Sequence, residues 1–317
     1  MVLSTAKGMI VNMNKTNIII DTDIGDDIDD ALAIAFALES PELEIKGITT
    51  VYKNVVARAK LAARMLKIYG HEEIPVFAGL GSPIINKVDL NEKPCQYTED
   101  EDGEENNFSR KGIDFIIDTV MKSDSDITLV PIGPLTNIAV AILKEPELKN
   151  KVKEIVMMGG CFYNHYNEWN IRCDPEAARV VFESGIPIKA VGLDVTFYCS
   201  LTEEDVKRIE TNGKQSAKYL FELIRRWRQG TDNCPMLHDP LAICAIFDDR
   251  LLEIHQEEIV VETHGAFTRG ATYNKSGLWR ANANQSVIRV AKKVDSEGFR
   301  ELFMNRLLQT PATEGTV

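Results

Sequence analysis

The stretch Asn17-Ile18-Ile19-Ile20-Asp21-Thr22-Asp23-Ile24-Gly25-Asp26-Asp27-Ile28-Asp29-Asp30-Ala31-Leu32-Ala33-Ile34-Ala35-Phe36-Ala37-Leu38 decides how the chain reads. Ile18–Ile20 is a short β-branched run that stops at an acid, the pattern of a buried strand. Ala31–Leu38 is apolar on every face of a helix and must therefore be buried all round. Between them stand six carboxylates in ten residues: Asp21, Asp23, Asp26, Asp27, Asp29 and Asp30. The helix dipole rewards an acid near a helix start by only about 0.3–1 kcal/mol. That suffices for Asp26 and Asp27. It does not account for Asp21 and Asp23 leaving a buried strand, nor for Asp29 and Asp30 beside the apolar run. Buried carboxylates need a compensating cation, and an all-oxygen donor set suits a hard divalent ion, Ca²⁺ or Mg²⁺.

Outward from this stretch, short apolar runs alternate with amphipathic ones. Strands are expected at Ile18–Ile20, Glu44–Val51, Ile74–Ala78, Ile127–Ile132, Glu154–Met158 and Ile188–Leu193, and helices at Ala31–Leu38, Val55–Tyr69, Gly112–Met121 and Pro175–Glu183. This alternation predicts an α/β fold, a mostly parallel Rossmann-like sheet with helices on both faces. Leu201–Gly230 reads as a helical cap beside it. No repeat or linker divides the chain, so one domain over 1–317 is expected, with about 1–16 and 310–317 as tails. In such sheets ligands bind beyond the carboxyl ends of the strands. That rule gathers Asp21–Asp30, Thr50–Asn54, Ile132–Asn137, Gly159–Asn170 and Asp194–Thr196 into one neighbourhood.

Composition narrows the function classes. The 317 residues carry a formal charge of −12, with 44% hydrophobic and 26% charged residues. An acidic chain repels phosphate backbones, so nucleic acid is not an expected partner. No apolar stretch approaches a membrane span, and the N-terminus lacks the apolar core of a signal peptide. The acid run Asp100–Glu105 reads as a solvated loop. The six cysteines form no CxxC pair and have no zinc-like spacing to histidine, which points to reduced thiols and the cytoplasm.

Three chemistries fit an aspartate cluster. A strand followed by DxD opens metal-dependent phosphohydrolases, but the later strand here ends Met157-Met158-Gly159-Gly160 with no acid. The DDxxD of Asp26–Asp30 occurs in prenyl-diphosphate enzymes, which are all-helical. A pure calcium-binding or carbohydrate-binding module is the non-enzymatic alternative.

Five motifs in order resemble the inosine–uridine nucleoside hydrolase family, from about Ile18 to about Phe247. The opening DxDxG…DDAxAI is two residues longer than the family's DxDPGxDDA, with Ile24 for proline. Ile48-Thr49-Thr50-Val51 and Asn54 match the second motif, and Leu129–Asn137 the third. Met158-Gly159-Gly160, Glu168-Trp169-Asn170 and Asp174–Ala178 match the fourth, and His238-Asp239-Pro240 the fifth. The resemblance implies hydrolysis of the N-glycosidic bond of a small-molecule ribonucleoside to ribose and free base, in nucleoside salvage. It implies Ca²⁺ held by Asp23, Asp30, Asp239 and the backbone oxygen of Ile132. It implies a water activated by Asp23, an oxocarbenium-like transition state, and leaving-base protonation by His238, the last pointing to pyrimidine or broad substrates. Ribose contacts fall on Asp29, Asn54, Glu168 and Asn170, with Asn164 or Asn167 as a further contact from the loop. Trp169, for the usual phenylalanine, packs on ribose or base or walls the core. Trp227 stands where relatives place base-contacting aromatics, though a surface helix explains it as well. A homodimer or homotetramer is the expected assembly.

Overall fold

Ile18 and Ile20 are buried in one hydrophobic cluster and Ile19 in another. A strand whose successive side chains point to opposite faces, both of them covered, has no polar side, which is why the run is apolar throughout. A computed structural model describes residues 15–99, 108, 110–229, 233–275 and 287–308, and shows this run as the heart of strand β1 (Thr16–Thr22). Helix α1 (Asp29–Leu38) follows, then β2 (Leu43–Thr50), α2 (Val55–Tyr69), β3 (Val76–Ala78), α3 (Gly112–Lys122), β4 (Ile127–Pro131), α4 (Thr136–Lys144) and β5 (Glu154–Met158). The chain continues through α5 (Trp169–Cys173), α6 (Pro175–Phe182), β6 (Ile188–Val191), α7 (Leu193–Thr196), α8 (Glu203–Thr211), α9 (Gln215–Trp227) and α10 (His238–Phe247). It closes with β7 (Leu252–Val261), β8 (Thr272–Asn274), β9 (Val287–Val294) and α11 (Ser296–Leu308).

The strands form one sheet in the order β3-β2-β1-β4-β5-β6-β9-β7-β8. Pairing is parallel from β3 to β9, and antiparallel where β7 joins β9 and β8 joins β7. From β1 the chain winds outward through β2 to β3, then returns to β4 on β1's other side. The strand order thus reverses between β1 and β4, the place where an open parallel sheet leaves a crevice at its carboxyl edge. The expected mostly parallel α/β sheet with helices on both faces is the one observed. The expected cap is the pair α8 and α9, and α9 packs on α1 and α2. The four helices read from sequence are all present, and α1 begins two residues earlier than expected, so Asp29 and Asp30 belong to its first turn. The acid run Asp100–Glu105 and most of both expected tails lie outside the described residues.

Helices α1 and α10 are buried on nearly every face and pack against each other. Phe36 of α1 meets Phe247, Phe299 and Phe303 at ring-centroid distances of 5.9, 6.2 and 5.3 Å. These contacts lock α1 between α10 and α11. No helix among the described residues is long and apolar enough to cross a membrane.

Truncating Phe36 removes a fully buried ring. The Phe36→Ala substitution is expected to cost about 3–5 kcal/mol, seen as a lower urea midpoint by circular dichroism. An unchanged midpoint would contradict this packing.

Candidate active site

The last residue but one of β1 is a carboxylate held by one oxygen, Oδ1, while its Oδ2 is buried without a hydrogen-bond partner. Asp21 Oδ1 accepts from Thr49 Oγ1 at 2.6 Å and from Asn137 Nδ2 at 2.7 Å. Asn137 also donates to the Thr50 carbonyl at 3.1 Å and accepts from Leu80 N at 2.8 Å. One amide thereby ties the carboxyl ends of β1, β2 and β3. Burial, outweighing these hydrogen bonds, pushes Asp21 up to about 7.

Past β1 the chain turns through Asp23 to Ile28 and enters α1. Thr22 fastens the turn, accepting from Ile24 N at 3.1 Å and donating to the Asp30 carboxylate. Gly25 takes φ +118°, in the left-handed region, and a Cβ there would strike Pro94. Asp26 turns away to Arg58 at 2.7 Å. Asp27 is exposed, and its carboxylate accepts from Ile28 N at 2.6 Å.

The crevice is a cavity of about 250 Å³. On its wall stand Asp23, Asp26 and Asp27 from the β1–α1 loop and Asp29 and Asp30 from α1. Ile132 and Met158 come from the ends of β4 and β5. Glu168, Trp169 and Asn170 come from the start of α5, Leu193 from α7, and His238 and Asp239 from α10. Nine of the eleven residues expected from sequence are therefore together. The other two do not reach the wall. Asn54 is the N-cap of α2, its side chain accepting from Ala57 N at 3.1 Å. Asn164 is exposed and donates to Asp194 Oδ1 at 2.8 Å, part of a turn that Asp194 braces. Asn54 is employed by the backbone of its own helix and Asn164 by the Asp194 carboxylate. Asn167 is likewise bonded to the carbonyls of Phe267 and Arg269. Trp227 packs against the α1 side of the core.

The acids are not evenly disposed. Carboxylate oxygens of Asp29, Asp30 and Asp239 all lie within 4.8 Å of one another, and all three residues are buried. Burial first, then repulsion from neighbouring aspartates, Asp23 and Asp27 acting on each, raises all three well above the usual carboxylate range. Asp23 stands outside this tight trio but on the same wall. Burial raises it to about 6, with Arg58 opposing. Three buried carboxylates aimed at one point form an oxygen-only donor set that fits a hard divalent cation. Nothing else among the described residues of the cavity wall carries positive charge to offset them.

Neighbouring backbone is trimmed to fit. A Cβ on Gly133 would lie 2.6 Å from Asp23 Oδ1 and 2.9 Å from Asp23 N, so only glycine lets the carboxylate sit there. Glu168 caps α5, its carboxylate accepting from Gly160 N, Asn170 N and Ile171 N at 2.8–3.0 Å. Asn170 Nδ2 donates to the Ile132 carbonyl at 2.8 Å and the Met158 carbonyl at 3.2 Å. His238 pairs through Nδ1 with Thr196 Oγ1 at 2.7 Å, and its ring meets Phe197 edge-on at 5.7 Å. Burial pushes its imidazole down to about 4, so the ring is neutral at neutral pH. Trp169 is half exposed at the mouth, with the Arg172 guanidinium 5.0 Å over its ring.

Sequence reading assigned no role to Asp21, Asn137, Thr196 or Arg58. Asp21 opens the first motif and Asn137 closes the third, a signal present in the sequence. Thr196 and Arg58 sit in ordinary helical contexts and act only through tertiary contacts.

A doubly wound sheet whose switch-point crevice is floored by aspartates from two buried helix starts is the architecture of an α/β protein suited to hold a divalent cation and a small polar ligand. The chain belongs to the inosine-uridine preferring nucleoside hydrolase family, whose sequence profile matches residues 18–301. It is an N-glycosidase that hydrolyses ribonucleosides. It is 33% identical to a probable uridine nucleosidase 2 of Arabidopsis thaliana, over 94% of this chain and 99% of the relative. It is 32% identical to the pyrimidine-specific ribonucleoside hydrolase RihA of Escherichia coli, over 92% and 97%. Among solved structures it resembles the plant nucleoside hydrolase PpNRh1, with a TM-score of 0.81 and 30% identity over 93% of this chain and 99% of that one. It also resembles a purine-preferring ribonucleoside hydrolase from Gardnerella vaginalis, with a TM-score of 0.75 and 33% identity over 92% and 98%.

The close approach of Gly133 to Asp23 yields a test. Gly133→Ala is expected to lower nucleoside turnover by at least about tenfold, a misplacement effect, while far-ultraviolet circular dichroism stays that of the parent. Parental turnover would show that Asp23 needs no such room.

Proposed function

We propose that the protein is a calcium-dependent ribonucleoside hydrolase with a preference for uridine and other pyrimidine nucleosides. The observation that carries this reading is the convergence of the Asp29, Asp30 and Asp239 carboxylates, with Asp23 beside them, in one cavity at the switch point. The base preference rests on His238 beside the metal-type cluster and on the likeness to a uridine nucleosidase and to RihA.

In this reading the cation is held by Asp23, Asp30, Asp239 and the Ile132 carbonyl, with Asp29 close enough to share it. When bound, a hard divalent cation supplies an anchor for the ribose hydroxyls and acidity to a water molecule. Asp23 would take a proton from a water molecule in the cavity as the water's oxygen bonds to C1′. The C1′–N bond breaks with its electron pair passing to the base, and positive charge builds on the ribosyl ring. Carboxylates around the ring offset that charge. Asp29, Glu168 and Asn170 orient the sugar, Asn170 also fixing the Ile132 carbonyl. Trp169 covers the ligand at the mouth. With Thr196 donating to Nδ1, the neutral His238 ring carries its hydrogen on Nε2 and offers it as a hydrogen bond to the departing base, whose proton comes from solvent water. Calcium fits better than magnesium because the donors mix carboxylates with a backbone carbonyl and leave room for ligand oxygens, the flexible shell calcium tolerates.

One domain, a homodimer or homotetramer, and a cytoplasmic setting complete the proposal. The last agrees with six free cysteines. Neither nucleic acid nor a membrane is proposed as a partner.

The reading is tested by a panel of uridine, cytidine, inosine and adenosine assayed for free base and ribose. Pyrimidine nucleosides are expected to lead, with activity lost on chelation and restored by Ca²⁺. No base release from any nucleoside, or indifference to chelation, would refute it. Asp23→Asn is expected to lower turnover by about 10²–10⁴-fold; near-parental turnover removes its role as base. His238→Ala is expected to slow uridine far more than a nitrophenyl riboside, whose leaving group needs no proton. Equal losses on both would remove the donor role.

A further inference from the structure

Arg58 has no solvent exposure and heads the fully buried side chains in size. It reaches from the first turn of α2 into two loops at once. Nε donates to the Tyr52 carbonyl at 2.8 Å, Nη1 to the carbonyls of Asp23 and Ile24, the latter at 2.9 Å, and Nη2 to Asp26 Oδ2 at 2.7 Å. Three of its four acceptors are backbone carbonyls. The fourth, Asp26, belongs to the β1–α1 loop, the loop that is two residues longer than the family pattern.

Each loop has its own backbone bonds, Tyr52 N and Lys53 N donating to the Leu80 and Gly81 carbonyls at 2.9 and 2.8 Å and Gln96 N to the Gly25 carbonyl at 3.0 Å. Arg58 alone among these partners joins the two loops to each other. Gly25 follows the two carbonyls directly, at φ +118°, a residue that holds no conformation by itself. Tyr52 and Lys53 sit at φ 69° and 55°, left-handed positions that a side chain resists. The guanidinium fork is the common brace, and the Asp23 carbonyl it grips belongs to a residue whose carboxylate stands on the cavity wall. Charge and shape act in opposite directions here. A fixed positive charge near the aspartates repels a divalent cation, whereas a rigid loop presents its carboxylate without reorganisation.

We propose that Arg58 is a positioning residue for the metal site, acting through its planar fork and not through its charge, by holding the lengthened β1–α1 loop so that Asp23 faces the cation. This rests on the reading of the cavity as a calcium site. Arg58 touches neither substrate nor cation. Lysine keeps the charge but has no fork to span three carbonyls and a carboxylate, so Arg58→Lys separates the two effects.

The experiment is calorimetric titration of chelator-stripped full-length protein with CaCl₂, for the parent, Arg58→Lys and Arg58→Gln, alongside steady-state kinetics on uridine. Loss of a supporting partner weakens metal affinity by roughly 10–100-fold, and that is expected for both variants, with kcat falling more than KM rises at saturating calcium. Urea unfolding checks that each variant is folded; should Arg58→Gln fail to fold, Arg58→Lys decides alone. Calcium binding by Arg58→Lys as tight as the parent's, or tighter binding by a folded Arg58→Gln, overturns the proposal and leaves the calcium reading standing. A parent that binds no calcium removes both.

Discussion

The structure depends on bringing buried carboxylates from two helix starts to one point. Removing a carboxylate from water carries an effective penalty of several kcal/mol, while the helix dipole returns about 1 kcal/mol or less at each N-terminus. Asp29, Asp30 and Asp239 therefore stand far from equilibrium with an apolar interior, and the upward shift of all three expresses it. The rest of the fold is what makes this arrangement tolerable. α1 and α10 are apolar on nearly every face so that they can be packed away, and their contact with each other sets the separation of the acids they carry. The Phe36 cluster holds α1 from behind. Net burial of hydrocarbon in two helices offsets the charge concentrated at their tips.

The sheet contributes position more than charge. Asp21, Thr49 and Asn137 knit the carboxyl ends of neighbouring strands, so the loops that leave those ends start from a fixed edge. Gly133 gives Asp23 space at the reversal of strand order. On the other side Glu168 spends its carboxylate on three backbone N–H groups, and Asn170 holds the Ile132 and Met158 carbonyls. Residues that look like ligand-binding groups are also the mortar of the wall, which couples the shape of the cavity to its chemistry.

What was legible in the sequence follows from this division. Ile18–Ile20 and Glu154–Met158 are buried on both faces, and continuous apolar runs between turn residues are hard to misread. α1 was legible for the same reason, and its acids were conspicuous because they broke the rule for a buried helix. β7, by contrast, runs Leu-Glu-Ile-His-Gln-Glu-Glu-Ile-Val-Val and is only partly buried, so its pattern carries little signal. Its antiparallel pairing with β9 is supplied by tertiary contact. α4 went unread because the turn Gly133-Pro134 drew attention to the strand it ends rather than the helix it begins. Asn54 misled because a cap residue and a ligand residue look alike in one dimension: a short amide after a strand serves either purpose, and only the Ala57 N–H shows which. Asp26-Asp27 and Asp29-Asp30 look alike in one dimension as well, and only the Arg58 guanidinium, 32 positions from Asp26, shows that Asp26 is paired elsewhere.

Burial also sets the two protons of the proposed reaction. Desolvation disfavours whichever form is charged, so it raises an acid and lowers a base. It moves Asp23 up to about 6 and His238 down to about 4. A carboxylate raised in this way is a stronger proton acceptor than a solvated one. An imidazole lowered in this way holds a proton on only one nitrogen at neutral pH, so it serves by donating that N–H rather than by arriving as a cation. Which nitrogen carries it depends on the partner of the other, and Thr196 Oγ1 at 2.7 Å from Nδ1 is a partner that can donate as well as accept. A threonine can donate where a backbone carbonyl in its place could only accept, which would force the proton onto Nδ1 and leave Nε2 bare. In the proposed reaction the hydroxyl at the end of α7 is accordingly what leaves Nε2–H open to a buried, neutral histidine as a hydrogen-bond donor toward the cavity, beside carboxylates whose proton affinity the same burial has raised.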